Sequence, residues 1–129
     1  MKEEDRKILL KDLSARLQYG VRISVNDKVE TLQGINVLDD TAEYDIFLSS
    51  NIEEVKPYLF PLSSMTEEQR KEYEGIIYKN IELHCERYYE VIDVDEFDCL
   101  MDFYHKYHFD YRGLILLDLA IDATNLNIY

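Results

Sequence analysis

Across Gly20 the apolar residues of this chain change period, and that change limits the folds open to it. Before the glycine, Leu9, Leu13 and Leu17 recur at helical spacing with Lys7, Lys11 and Asp12 between them. Residues 3–18 are therefore expected to form a helix with one apolar face. After it, Val21, Ile23 and Val25 alternate with Arg22, Ser24 and Asn26, the two-residue period of a half-buried strand. Gly20 supplies the left-handed residue at which helices commonly stop.

The strand signal continues. Asn26-Asp27 is a pair that tolerates left-handed backbone, so a hairpin into a second strand over 28–37 is expected. The in–out phase of that strand slips at Gly34, which predicts a bulge or sharp bend. After a turn at Leu38-Asp39-Asp40-Thr41, Tyr44, Ile46 and Leu48 alternate as a third strand. Residues 51–65 read as a connector in which Asn51 caps a short turn, and Pro57 and Pro61 hold Tyr58-Leu59-Phe60 extended. Those three side chains suit either a plug between sheet and helices or an exposed docking anchor. Thr66-Glu67-Glu68-Gln69 has the pattern of a capping box, opening a helix to about Arg87 with Tyr73, Ile76, Ile77, Ile81 and His84 on one face. Asp93 or Asp95 is expected to cap a second helix with Phe97, Met101, Tyr104 and His108 on its inner face. Asp110 is expected to cap a third, carrying Leu114, Leu117 and Ile121.

The expectation is one α+β domain over 1–129. A helix and three-stranded antiparallel meander (1–50) precede the connector (51–65) and a three-helix unit (66–124). At 129 residues, 47% of them hydrophobic, the chain can build a core of its own. Eleven tyrosines and no tryptophan place much of its aromatic mass in side chains with polar tips, suited to core boundaries and interfaces.

Charge bears more directly on function. The formal net charge is −13. Residues 1–26 hold six Lys/Arg against four Asp/Glu, leaving eight against twenty-three in 27–129. Such a body repels phosphate backbones and anionic membranes, so direct binding to nucleic acid or membrane is not expected. The first residues lack the apolar stretch of a signal peptide, and the longest strongly apolar run is Leu114–Leu117, so a cytoplasmic protein is expected. Cys85 and Cys99 match neither a metal nor a redox spacing and are expected to be reduced, half-buried thiols.

Two constellations compete as functional sites. The stretch between Arg87 and Lys106 contains Glu90, Asp93, Asp95, Glu96, Asp98 and Asp102 with no basic residue, beside Tyr88 and Tyr89. It is either a solvated helix face or a surface that imitates a phosphate backbone toward a basic or nucleic-acid-binding protein. Asp93-Val94-Asp95 lacks the glycine and terminal glutamate of a calcium loop. The second constellation is His105, His108, Asp110 and Arg112 at the joint between two helices. The histidines and Asp110 could ligate zinc, with only His84 or Cys85 to complete the set. The alternative leaves His108 in the core, His105 in solvent, Asp110 as a cap and Arg112 paired with Asp102 or Asp118. Arg112 could instead grip a carboxylate or phosphate, and Gly113 would serve close packing or a ligand. No metal or cofactor is assigned. No GxSxG, Walker or HExxH motif occurs, Ser63-Ser64 look like loop residues, and His84 and Cys85 point apart on a helix. A catalytic role is not expected.

The runs HFDYRGLI and EEVKPYLFPLSSMTEEQRKE resemble motifs of a family of small proteins encoded by phages, prophages and mobile elements of gut Bacteroides and relatives. The resemblance spans about residues 9–123 and implies an origin and no activity. With the charge, it leads to an expected acidic, non-catalytic interaction module inhibiting or regulating a host protein. The alternatives are a small-ligand or hydrolytic protein using the His105–Arg112 joint, and a virion or packaging component. The oligomeric state is open.

Overall fold

The computed structural model describes residues 1–45, 48–77 and 94–129. In chain order these form α1 (Glu3–Arg16), β1 (Arg22–Val25), β2 (Lys28–Asn36), β3 (Thr41–Tyr44), β4 (Leu48–Asn51), β5 (Val55–Pro61), α2 (Glu67–Ile77), α3 (Val94–Lys106), β6 (Phe109–Asp110) and β7 (Ile121–Asp122). The class is α+β, with an amino-terminal helix, a sheet, and helices after it.

The first half follows its local chemistry closely. Gly20 stands at φ 69, where α1 and its short 3-10 extension end. Asn26 and Asp27, at φ 52 and 62, make the tight β1–β2 turn, whose left-handed pair matches the twist of the strands. The β2–β3 register shifts between Leu32 and Gly34, which is the bulge expected at that glycine.

The sheet is larger than the expected meander. It has seven strands in the order β4-β3-β2-β1-β5-β6, with β7 also pairing β5. The continuous third strand does not form: Asp45, at φ 57, turns the chain so that Tyr44 pairs Leu48 across a β3–β4 hairpin. Ile46 and Phe47 lie outside the described residues. The supposed connector holds β5, an inner strand of the sheet. β5 pairs β1 antiparallel through Val55–Pro57, then β7 and β6 in parallel through residues 58–61. Pro57 sits where the β1 ladder ends, so its missing N–H is tolerated. Tyr58 and Leu59 are buried, so this segment belongs to the core and presents no docking anchor. Asn51 caps the short turn before it by accepting the Glu53 amide, as expected.

Alternate positions of β5 serve two cores. Leu59 joins Leu9, Leu13, Ile23, Val25, Leu32, Val55 and Leu114 in an aliphatic cluster. Phe60 packs on an aromatic one of Leu100, Phe103, Tyr104 and Phe109, lined by Tyr73, Tyr107 and Tyr111.

The expected three-helix unit is not present as such. The Thr66–Gln69 capping box forms with both of its hydrogen bonds, at 2.9 and 3.1 Å, and α2 is described to Ile77. Its expected continuation to Arg87, with Ile81, His84 and Cys85, lies outside the described residues. The helix α3 buries Leu100, Phe103 and Tyr104, whereas Phe97 is 52% exposed. The expected inner stripe through Phe97 and Met101 is therefore rotated. Glu72 on α2 ties the two helices by accepting from Lys106 and, at 2.7 Å, from the Tyr107 hydroxyl; these contacts hold its carboxyl below the usual range. No third helix follows Asp110. Gly113 and Asp118, at φ 74 and 60, bend the chain through a series of turns into β7. Nothing lies within 4 Å of a Cβ built on Gly113, so left-handed backbone, and not close packing, explains that glycine.

Candidate functional site

The acidic helix face survives in part. On α3, Asp95, Asp98 and Asp102 are exposed and, three and four residues apart, they share one side of the helix. Glu96 does not belong with them: it is 8% exposed and faces inward, one position out of phase. Tyr88, Tyr89, Glu90 and Asp93 lie outside the described residues. Cys99, expected to be half-buried, is exposed on the same helix as a free thiol.

The joint that follows α3 rearranges the second constellation. His108 leaves α3 at φ 59, and its ring stacks on Tyr129 with centroids 3.8 Å apart. Burial, and then the positive charge of Arg16, push its pKa down to about 4. The exposures of the two histidines run against the expectation, for His105 is the more buried of the pair. Asp110 is buried, and its two carboxylate oxygens accept the amides of Leu114 and Ile115, both at 2.9 Å. It is a cap, as its position suggests, but of a turn. Among the described residues no group of three His, Cys, Asp or Glu side chains is gathered to hold a metal ion. His105, His108 and Asp110 are thus directed to three different partners.

Arg112 and His105 do meet, through residues that sequence reasoning passed over. Arg112 pairs with neither Asp102 nor Asp118, which take the Tyr19 hydroxyl and Lys56. Its Nε donates to Asp12 Oδ1 at 3.1 Å, while Arg16 Nε donates to Asp12 Oδ2 at 2.8 Å. One buried carboxylate therefore serves two guanidinium groups. Arg16 also donates from Nη2 to the Phe109 carbonyl at 2.6 Å, and both guanidiniums lie about 5 Å from the centre of the Tyr111 ring. Arg112 Nη2 donates to the Tyr111 hydroxyl oxygen at 3.2 Å, which lies 2.7 Å from His105 Nε2. Burial first, then the Arg16 charge, holds His105 below its ordinary pKa. His105 Nε2 and the Tyr111 hydroxyl share one hydrogen bond, whose donor is set by the imidazole tautomer.

The overlooked residues left a trace in the sequence. Arg16 stands seven residues after Leu9 and three after Leu13, in the apolar phase of α1, with Asp12 four residues before it. A charged pair at core phase on a helix marks a buried ion pair.

Two further tyrosines border the joint. Tyr129 donates to the Tyr58 carbonyl at 2.6 Å and accepts from the Arg22 amide at 2.9 Å; burial drives its pKa to about 12. Tyr104, also near 12, is raised by burial and then by Tyr73. Among the described residues no helix is long and apolar enough to cross a membrane. Comparison with protein-family models, curated proteins and solved structures finds no match to the chain.

Proposed function

We propose that the protein is a non-catalytic acidic interaction module that binds, and inhibits or regulates, a basic or nucleic-acid-binding protein. The observation that carries this reading is the exposed row Asp95, Asp98 and Asp102 on α3, in a chain of net charge −13. Carboxylates repeating along one helix side present a ladder of negative charge that suits rows of Lys and Arg and excludes phosphate. Glu90 and Asp93 extend the row in sequence, and Tyr88 and Tyr89 precede them. The bacterial cytoplasm as setting, and a phage or mobile element as source, rest on the resemblance of HFDYRGLI and EEVKPYLFPLSSMTEEQRKE. Without a recognised catalytic motif, the docking face is the better supported of the two sites.

The test is capture of a partner from host lysate by the tagged protein, beside the double reversal Asp95→Lys/Asp98→Lys. Glu96, being buried, is left alone. Loss of the partner at high salt and on reversal, with an unchanged melting curve, is the expected result. A partner retained by the reversed protein at every salt concentration removes the reading.

A further inference from the structure

The joint between α1 and the segment after α3 carries more positive charge than it neutralises. Arg16 is fully buried and Arg112 is 24% exposed, yet they share the single carboxylate of Asp12. Asp110, the other buried carboxylate close by, is engaged with two backbone amides. Asp102 stands at the exposed rim, holding the Tyr19 hydroxyl at 2.7 Å. Buried charges in folded proteins are paired, and an unpaired one is costly. Among the described residues, Arg16 Nη1 is nonetheless buried with no hydrogen-bond partner. An anion on Arg112 would relieve that imbalance: Nε and Nη2 are fixed by Asp12 and Tyr111, and Nη1 makes no hydrogen bond among the described residues. A guanidinium clamped on two nitrogens and open on the third is pre-organised for an oxyanion, since little side-chain freedom is left to lose.

We propose that the open edge of Arg112, backed by Arg16 and the Tyr111 ring, is a subsite for the oxyanion of a small molecule, a carboxylate or a phosphoryl group. The anion accepts from Arg112 Nη1 and balances the charge that Asp12 leaves over. His108 and Asp110 take no part. The site meets the acidic row at Asp102 and does not depend on the reading of that row.

His105 reports occupancy. It is faced by Asp12 and Arg16 from α1, by Tyr19, by Tyr111 and Arg112, and by Asp102 on its own helix. An added negative charge beside Arg112 favours imidazolium, so binding raises the His105 titration midpoint. The experiment follows the His105 ring resonances by NMR through pH titrations in chloride, inorganic phosphate and acetate at matched ionic strength. A saturable rise with phosphate alone assigns a phosphoryl ligand, with acetate alone a carboxylate, and with both a general oxyanion site; each supports the proposal. Arg112→Gln should abolish the rise, and Arg112→Lys, which keeps the charge and loses the fork, should weaken binding by about tenfold. No rise with either anion overturns the proposal, as does an equal rise in Arg112→Gln. Should Arg112→Gln fail to fold, undiminished affinity in Arg112→Lys overturns it as well.

Discussion

On one side of β5, Leu59 enters a cluster of leucine, isoleucine and valine; on the other, Phe60 enters one of phenylalanine and tyrosine. The aliphatic cluster needs volume and little else, because apart from Tyr44, whose hydroxyl meets Ser50, its side chains have no polar atoms to satisfy. The aromatic cluster brings phenols with it, and each hydroxyl must find a partner as its ring is buried. Tyr107 finds Glu72, and Tyr111 finds His105 and Arg112. Charge follows the phenols inward, with Asp12, Arg16 and Arg112 gathered around the Tyr111 ring. The difference teaches that the buried titratable chemistry of the joint gathers where tyrosines line the smaller, aromatic cluster.

The two sides should fail differently. Asp12 and Leu13 are neighbours on α1, both fully buried, and belong to opposite regimes. Asp12→Asn leaves two guanidiniums without their carboxylate and should lose about 3–5 kcal/mol. Leu13→Ala should lose about 2–5 kcal/mol through transfer and cavity terms. The double change Asp12→Leu/Arg16→Met should cost less than Asp12→Asn alone, since it removes the fully buried pair and leaves only the part-exposed Arg112 without its carboxylate. Urea unfolding of the three variants checks this, and a double variant weaker than Asp12→Asn would place the joint in the same regime as the aliphatic core.

Acid should act on the aromatic side. His105 and His108 fold with pKa values below their ordinary 6.5, His108 at about 4. Between those limits the unfolded chain binds more protons than the folded one. Their contribution to stability is therefore complete above about pH 6.5 and declines as pH falls toward 4. His108→Asn, whose side chain tolerates the left-handed backbone at this position, should flatten that acid limb in denaturant midpoints measured against pH. A limb of unchanged slope would assign the loss to groups elsewhere. The smallest effect expected is at Gly113→Ala, where open space surrounds the new methyl but φ is +74. The strain should cost about 1 kcal/mol without moving the His105 resonances, and thermal melts with NMR separate the two.

Much of the first half was legible, for reasons confined to a few residues at a time. Gly20, the Asn26-Asp27 pair, the Gly34 slip and the Thr66–Gln69 box each act through their own backbone or their nearest amides. Two of the misreadings share one cause. Apolar residues from Leu114 to Ile121 have helical spacing, and Tyr44 to Leu48 have strand spacing, but Asp118 and Asp45 adopt left-handed backbone that pattern alone does not reveal. Pro57 and Pro61 made an inner strand look like a linker, because the partners that make it inner come from opposite directions in sequence: β1 before it, β6 and β7 far after it.

The candidate site divides along the same line. Sequence alone determined the acidic balance, the run of carboxylates from Glu90 to Asp102, and the concentration of His, Asp and Arg between His105 and Arg112. The tertiary structure decided which of these share a place. It turned Glu96 inward, sent His108 to Tyr129 and Asp110 to two amides, and brought Asp12 to Arg112 across 100 residues of sequence. Charge and local conformation are properties of a residue and its neighbours, and they can be read along the chain. Partnership in a buried ion network depends on loop closures between distant segments, which burial of the whole core determines at once.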